Sequence, residues 1–442
     1  MLPSVLNIGP FSIHSLRVGM ARAGAALAGG YRPGHSRRRM LAALVALSMA
    51  GGGAAWSGLA AAQTANPGAQ PLRIGLIGPF TGPSADFGMP MHNGVRLAVD
   101  EINAAGGYLG RPLELVVKDD TAKPDVGRKL SEELVADKVA ATIGFCNTGV
   151  AQQSLEVFQN ARIPLLIPCA TGTPLTSKYP APESYIFRTS ARDAIQAPFI
   201  VQDIAKRGWT QVAVFADTTG YGEAGLKDVE AALAARQLKP VYVARFATGV
   251  KDLGPELQAA RQAGANVIVG YTVGQENAVI AKGRKAMKWD VPFVGPWTLS
   301  FPFFIDGAKE AAEGALMVQT FIAEPSNERR ASFLANYARK FNATKISMPV
   351  AAAQGYDTAY LLMHALFGVR ATQLDGPAIK TALENIQRNY YGVVATYEKP
   401  FSASDKDAVS ANMLYLGQVK NGAVTFAYPE DAKRNLFVQR KQ

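Results

Sequence analysis

The sequence predicts an α/β protein with two consecutive, mostly parallel sheets. Short apolar strands alternate with amphipathic helices from Leu72 onward, and the same alternation starts again at Val212. Such alternation indicates βαβ units with helices on both faces of a sheet. A chain of 442 residues can hold two or three domains. We therefore expect two lobes rather than one very large sheet.

The first sheet is predicted from residues 72 to about 167. Predicted strands cover residues 73–77, 113–118, 141–144 and 164–167. Between the first two, Val95, Val99 and Ile102 recur at helical spacing, and Gly106 with Gly107 ends that helix. Each strand is thus followed by a predicted helix, as a parallel sheet requires.

The second sheet is predicted from Val212 to the C-terminus. Predicted strands cover residues 212–215, 241–246, 267–269, 293–294 and 316–320. After Pro325 come three helices, of which one spans 351–367 and the last starts near Pro377. The tail reads as a hairpin from Met413 that turns at Asn421-Gly422.

The N-terminus reads as an export signal. The net charge is +11, but residues 1–62 hold six arginines and no acid, which leaves 40 basic against 35 acidic residues, or +5, for the rest. Three arginines, Arg37 to Arg39, precede an apolar run from Leu41 to Ala50, and small residues follow up to Ala62. This order predicts a secretory leader of the Sec or twin-arginine type, and we expect a periplasmic location.

Several classes of protein are disfavoured by composition. Two cysteines are too few for a disulfide framework, and four histidines without metal-ligand spacing predict no metal site and no cofactor. Most of the excess positive charge lies in the leader, so nucleic-acid binding is not expected.

Two loops after neighbouring predicted strands carry candidate ligand-binding residues. Asn147, Thr148 and Gly149 follow the strand 141–144, and the segment from Cys169 to Thr171 follows the strand 164–167. Ligands of open α/β sheets bind at the carboxyl ends of strands, where hydroxyls and backbone N–H groups at helix N-termini can hold a carboxylate. Ordinary capping of helices is the alternative for each loop taken alone.

The chain from Leu72 to about Phe426 resembles the periplasmic solute-binding proteins of branched-chain amino acid (Leu/Ile/Val-binding) ABC importers. The motifs that carry this resemblance occur in the family's order. They are the segments Ile74 to Gly82, Phe87-Gly88, Ala98 to Gly107, Lys118 to Asp120, Phe187 to Ser190, Asp217 to Glu223 and Gly355 to Asp357.

The resemblance implies a type I periplasmic-binding fold. Two Rossmann-like lobes would be joined by three crossovers, near Asp193, Glu324 and Ser404, around a ligand cleft. The resulting division is a leader (1–62), a linker (63–71), an N-terminal lobe (72–193 plus 325–404) and a C-terminal lobe (194–324 plus 405–442).

The function implied is capture of a small carboxylate-bearing solute. The lobes would close on the solute by a hinge motion, and the monomeric protein would deliver it to a membrane permease of an ABC transporter. No enzymatic activity is implied. A ligand-sensing subunit of a signalling system remains the alternative with the same fold.

The positions that bind the ligand in this family match positions in both expected lobes of this chain. Thr148, Gly149, Cys169, Ala170 and Thr171 match the two loops that hold the amino-acid carboxylate and ammonium. Phe87 matches an aromatic wall of the side-chain pocket, and Tyr221 matches a cleft tyrosine. With Asn147, Tyr271 and Trp297, these residues form the predicted site.

Trp297 departs from the family pattern. In amino-acid binders, an acid that pairs with the ligand ammonium follows a Gly-Pro, whereas here Gly295-Pro296 precedes Trp297. An indole can attract a cation or stack on an aromatic ring but carries no charge. The replacement of this acid by Trp297 favours an aromatic or hydrophobic carboxylate as the solute, unless Glu276 or Asp217 pairs with the ammonium of an amino acid.

Two further features leave alternatives open. The family's disulfide partner after the Asp-Asp pair is here Ala122, so Cys146 and Cys169 either pair with each other or remain as buried thiols. The segment Gly220 to Gly225 fits a dinucleotide-binding glycine pattern. However, Glu223 would oppose a pyrophosphate and no acid ends the next strand, so a nucleotide-cofactor enzyme is the less favoured hypothesis.

Overall fold

The computed structural model describes residues 69–435 and 440–441. The leader predicted over residues 1–62 lies outside the described residues. Within them the strands form a five-stranded sheet, a seven-stranded sheet and a two-stranded ribbon.

The first sheet is parallel throughout. Its strands are β1 (Leu72–Gly78), β2 (Leu113–Asp119), β3 (Ala141–Gly144), β4 (Leu165–Ile167) and β5 (Ile186–Arg188). Its helices are α1 (Ala85–Ala104), α2 (Pro124–Ala136), α3 (Thr148–Ala161) and the short α4 (Pro174–Ser177). The strand order is β2-β1-β3-β4-β5. Strands β3, β4 and β5 are buried at every residue, as expected where helices cover both faces.

The second sheet is parallel except for its final hairpin. The strands that follow β5 are β6 (Val212–Asp217), β7 (Tyr242–Phe246), β8 (Val267–Tyr271), β9 (Phe293–Gly295), β10 (Leu316–Gln319), β11 (Tyr390–Tyr391), β12 (Thr396–Tyr397), β13 (Tyr415–Lys420) and β14 (Ala423–Phe426). Strands β11 and β12 form the ribbon, and the sheet order is β14-β13-β10-β9-β8-β6-β7. The predicted C-terminal hairpin is therefore confirmed as β13 and β14.

The remaining helices surround the second sheet or return to the first. They are α5 (Asp193–Lys206), α6 (Gly220–Ala234), α7 (Gly254–Gln262), α8 (Glu276–Ala286), α9 (Pro302–Ala308), α10 (Glu328–Phe341), α11 (Pro349–Leu366), α12 (Gly376–Glu384) and α13 (Pro429–Arg434). Although α10 and α11 follow β10 of the second sheet in sequence, both pack on α1, which covers the first sheet. The chain thus passes between the sheets three times, after β5, after β10 and before β13.

A buried ion pair ties two of these passages together. Arg188 at the end of β5 donates from Nε to Asp407 Oδ1 (2.6 Å) and from Nη2 to Thr176 Oγ1 (2.7 Å). Its Nη1 donates to the carbonyl oxygens of Thr171 and Gly172. The guanidinium is fully buried and has a partner at each of its three nitrogens, so it positions the loop after β4 relative to the last passage.

Strand β5 and helix α5 lie outside the pattern predicted from periodicity. Strand β5 is only three residues long, and α5 contains Pro198, which weakens its helical signal. In the described part of the chain, no helix is long and apolar enough to cross a membrane.

Candidate functional site

The loop after β3 brings the N-terminus of α3 to the edge of the first sheet. Asn147 precedes α3 in an extended conformation, and its side chain does not cap the helix. Its Nδ2 instead lies 3.4 Å from Ser84 Oγ. No side chain therefore caps the N–H groups of the first turn of α3, which include that of Gly149. These groups form the positive end of the helix dipole.

The loop after β4 is buried and fastened to its neighbours. Cys169, Ala170 and Thr171 are at most 2% exposed. The Gly172 N–H donates to Thr148 Oγ1 (3.2 Å), which joins this loop to the start of α3. The Asp193 N–H donates to the Thr171 carbonyl oxygen (2.9 Å). These bonds hold the Thr171 hydroxyl beside Thr148.

The second sheet contributes two tyrosines. Thr219 caps α6 by accepting hydrogen bonds from the N–H groups of Tyr221 and Gly222. The Tyr221 ring packs against Tyr271 at the end of β8, with centroids 5.2 Å apart. A Cβ atom at Gly225 would lie 1.9 Å from Tyr271 Cδ1, so this glycine is required for the tyrosine to pack under α6.

Three aromatic rings form a wall across the site. Phe87 lies 4.8 Å from Phe301 between ring centroids, and Phe301 lies 4.9 Å from Trp297 in an edge-to-face arrangement. The backbone N–H of Trp297 donates to Gln196 Oε1 (3.2 Å). This bond anchors the short 3₁₀ helix Trp297–Ser300 to α5.

Residues from both sheets enclose a cavity of about 10 Å³, close to the minimum that admits one water molecule. We call it the head cavity. Its lining residues are Phe87, Cys146, Thr148, Thr171, Tyr221, Val273, Trp297, Thr298 and Phe301. The structure thus brings together five of the predicted site residues. It also adds Val273, Thr298 and Phe301, which our reasoning from the sequence missed.

The other five predicted residues do not line the head cavity in this conformation. Asn147, Gly149, Cys169 and Ala170 lie in the same two loops, and Tyr271 lies behind Tyr221.

Hydrogen-bond donors without partners converge on the head cavity. The hydroxyls of Thr171, Tyr221, Tyr271 and Thr298 are buried and have no hydrogen-bond partner of standard geometry, and the same holds for Trp297 Nε1. Buried polar groups in folded proteins are nearly always paired. Four of these donors line the head cavity and the fifth, Tyr271, lies directly behind Tyr221, which indicates a site for a ligand with several hydrogen-bond acceptors.

The carboxylates of Glu276 and Asp217 already accept hydrogen bonds from neighbouring loops. Glu276 accepts hydrogen bonds from the Gly249 N–H and the Thr272 hydroxyl. Asp217 accepts from Thr219 and, through Oδ2, from the Val273 N–H (2.8 Å). Both carboxylates are thus used within their own loops, and neither lines the head cavity.

Asp193 is the acid that sequence reasoning overlooked as a site residue. It is fully buried at the start of α5, and its Oδ1 accepts from Gln196 Nε2 (3.2 Å). Oδ2 has no hydrogen bond of standard geometry, although the Thr171 and Tyr271 hydroxyls lie beside it. Burial raises the pKa of Asp193 to about 7, and the nearby Asp228 carboxylate adds to this shift.

The two cysteines are free and buried. Cys146 lines the head cavity, and burial raises the pKa of its thiol, with a further contribution from the neighbouring Cys169 thiol. Neutral thiols behave as small apolar groups. Among the described residues, no group of His, Cys, Asp and Glu side chains could hold a metal ion.

The glycine pattern from Gly220 to Gly225 serves packing. Gly225 accommodates Tyr271, and Gly220 lies against α3, where an added Cβ would be 3.1 Å from Gly149 Cα. Glu223 forms an ion pair with the exposed Arg245. These contacts account for the pattern without a nucleotide.

Comparisons with known proteins agree with this architecture. A sequence model of the family described as "Periplasmic binding protein" matches residues 71–423. The leucine-, isoleucine-, valine-, threonine- and alanine-binding protein of Pseudomonas aeruginosa is 27% identical over 59% of this chain and 70% of its own length.

Two solved structures are similar in fold. A type 1 periplasmic binding protein from Bordetella pertussis has a TM-score of 0.73 at 22% identity, covering 81% of this chain and 99% of its own. A solute-binding protein of an ABC transporter from R. palustris, in complex with benzoate, has a TM-score of 0.68 at 20% identity, covering 81% and 95%. The predicted fold and family resemblance are confirmed: this chain belongs to the periplasmic binding protein family.

Proposed function

We propose that this protein is the extracytoplasmic solute-binding subunit of an ABC importer. It captures a small carboxylate that bears a hydrophobic or aromatic group and delivers it to a membrane permease. The observation that carries this proposal is the cluster of four buried donors that line the head cavity, on Thr171, Tyr221, Trp297 and Thr298. A carboxylate offers up to four acceptor sites for such donors, and charge-assisted bonds are the strongest they can make.

The surroundings of the donors support the same class of solute. The N-terminus of α3 adds a partial positive charge, which favours an anion. Phe87, Phe301 and Trp297 present aromatic surface next to the donors, which suits an apolar or aromatic side group. The P. aeruginosa relative is named for binding apolar amino acids, and the R. palustris neighbour holds benzoate.

Hinge closure is part of the proposal. The head cavity is smaller than any amino acid or aromatic acid, and its walls come from both sheets. A solute can therefore enter only when the two sheets move apart, and it would be enclosed when they close around it. The leader pattern and the family support a periplasmic location, and relatives named as binding proteins support binding rather than catalysis.

For an amino-acid solute, Asp193 is the acid that would pair with the ammonium, because its Oδ2 lies beside the Thr171 and Tyr271 hydroxyls and has no hydrogen bond of standard geometry. For a solute without an ammonium, a protonated Asp193 could donate a hydrogen bond to a carboxylate oxygen.

A thermal-shift screen tests the proposed function. The protein is refolded to remove bound solute and mixed with L-amino acids, benzoate and branched aliphatic carboxylates. A ligand at 100 times its Kd stabilises a fold by about 2.7 kcal/mol, enough to raise the unfolding midpoint. We expect a raised midpoint with at least one apolar carboxylate. A midpoint that no carboxylate in the panel raises would refute the proposal.

A further inference from the structure

A second and larger cavity lies next to the passage that follows β10. Its volume is about 520 Å³, within the range typical of small-molecule sites. The wall is largely apolar and includes Phe321, Ile322, Leu334, Ile346 and Val350. We call it the tail cavity.

A third cavity of about 10 Å³, which we call the linking cavity, lies between the tail cavity and the head cavity. This linking cavity shares Thr171 and Trp297 with the head cavity. It shares Gln319 and Val350 with the tail cavity. The three cavities therefore lie side by side, separated by these shared side chains, from the donor cluster to apolar surroundings, and a solute that spans them must move those side chains apart.

Two buried glutamines give the linking cavity an unusual chemistry. Gln319 and Gln354 are each 2% exposed. Gln319 Nε2 has no hydrogen-bond partner. Gln354 Nε2 donates to Thr320 Oγ1 (2.9 Å), which leaves its Oε1 without a partner. One donor and one acceptor thus line the same small cavity, where leaving them unpaired costs free energy.

None of the residues that line the linking cavity is charged. The complement to an uncharged donor and acceptor is a neutral group that accepts from one and donates to the other, and an amide does both. The apolar tail cavity complements an aromatic ring or an alkyl chain.

We propose that the solute site extends through all three cavities and binds elongated carboxylates with an amide in the middle. The carboxylate lies at Thr148 and Thr171, the amide pairs with Gln319 and Gln354, and the apolar tail fills the tail cavity. The inference rests on the proposed function, because the carboxylate end uses the same donors.

The test is a calorimetric titration of the full protein with three probes. Hippurate has a carboxylate, an amide and a phenyl tail; 4-phenylbutyrate matches its length without the amide; benzoate is a short carboxylate. We expect hippurate to bind at least about tenfold more tightly than benzoate, since it buries more apolar surface and pairs both glutamines. The substitution Gln319→Leu should weaken hippurate about tenfold and leave 4-phenylbutyrate unchanged, and Gln354→Leu should repeat this result.

The tail cavity is tested by filling it. Ala338 on α10 lines the cavity and is half-buried, so Ala338→Phe should weaken hippurate and 4-phenylbutyrate about tenfold without affecting benzoate. Ala335→Phe, on the exposed face of the same helix, is the control and should change nothing. Ala343→Phe fills the cavity from the half-buried position just after α10 and replaces Ala338→Phe as the test if that variant lowers the unfolding midpoint.

The outcomes separate the two proposals. If leucine or benzoate binds but hippurate binds no more tightly than benzoate, or if both filling variants leave hippurate binding unchanged, the elongated site is wrong and the proposed function stands. If no short or long carboxylate binds, the proposed function fails and the inference fails with it.

Discussion

At the scale of single residues, the site is defined by side chains that the fold buries without pairing. Thr171 illustrates this: its carbonyl oxygen accepts hydrogen bonds from Arg188 and Asp193, whereas its buried hydroxyl lies beside Asp193 without a hydrogen bond of standard geometry. Such a group lowers stability by about 1–3 kcal/mol until a ligand supplies the missing bond. The unpaired donors therefore favour the bound state.

The first prediction concerns that hydroxyl. Thr171→Val should lower the affinity for every carboxylate solute by about 1–3 kcal/mol, because one buried hydrogen bond to the solute is lost. Thr171→Ser keeps a hydroxyl and should restore most of the affinity. Calorimetric titration measures both, and equal affinities for the wild type and the valine variant would show that the carboxylate lies elsewhere.

The second prediction concerns Trp297, whose ring lines the head cavity. Trp297→Ala should weaken aromatic solutes more than small aliphatic ones, by about 0.5–1.5 kcal/mol beyond the shared loss of buried area. The comparison of benzoate with isobutyrate in both proteins measures this difference. An equal loss for the two solutes would rule out stacking on the indole.

The third prediction concerns the pH dependence of stability. The pKa of Asp193 is about 7 in the fold and about 4 in an unfolded chain, so the folded state binds more protons between these values. Without solute, the free energy of unfolding should therefore fall as the pH rises from about 4 to about 7. Asp193→Asn should remove part of that fall. Asp120 and Asp357 also have raised pKa values, so only the difference between the two proteins reports on Asp193.

Urea unfolding at several pH values measures this difference, and parallel curves for wild type and variant would contradict it.

The same variant tests whether Asp193 pairs with the ammonium of an amino-acid solute. If Asp193 pairs with it, leucine should bind more tightly as the pH rises through 7, and Asp193→Asn should abolish that dependence.

At the scale of elements, the start of α3 meets the start of α6. A Cβ atom at Gly220 would lie 2.4 Å from Gln152 Oε1 and 3.1 Å from Gly149 Cα. Because the two helices belong to different sheets, this contact forms only when the sheets are close. The glycine at this position allows the helix N-termini to approach.

The fourth prediction follows from that contact. Gly220→Val should lower solute affinity about tenfold or more, since the added methyl groups clash with Gly149 and oppose closure, while each sheet stays intact. Ala231→Val, on the exposed face of the same helix, is the control. Calorimetry gives the affinity and the unfolding midpoint without solute gives the stability. Unchanged affinity in Gly220→Val would mean that the helices need not meet.

The elements themselves were largely predictable from periodicity. Strand β3 was predicted with its observed bounds, and β1, β4, β6 and β10 within one or two residues, because fully buried parallel strands read as continuous apolar runs. Strand β5 and helix α5 were missed because a three-residue strand and a helix with an internal proline leave little pattern. The motif Phe187-Arg188 pointed to this segment only through its resemblance to the family, and the spacing of apolar residues gave no sign of it.

At the scale of the whole molecule, the site exists only where two sheets meet. Phe87, Thr148 and Thr171 come from the first sheet, whereas Tyr221 and Trp297 come from the second. Resemblance to a family could point to these positions. The role of Asp193 could not be predicted, because its environment depends on Tyr271, which is distant in sequence, and on the burial of both by the fold. The same holds for Gln319 and Gln354, whose shared cavity arises from packing between distant segments.

The most direct test of the account is a titration that changes only the charge of the solute. Benzoate is compared with benzamide, and leucine with leucinamide, in the protein freed of bound solute. If buried donors hold a carboxylate, the acid that binds should lose about a hundredfold in affinity as its neutral amide, since charge-assisted hydrogen bonds are lost. Equal affinities for an acid and its amide would contradict the central claim that this cavity is built for a carboxylate.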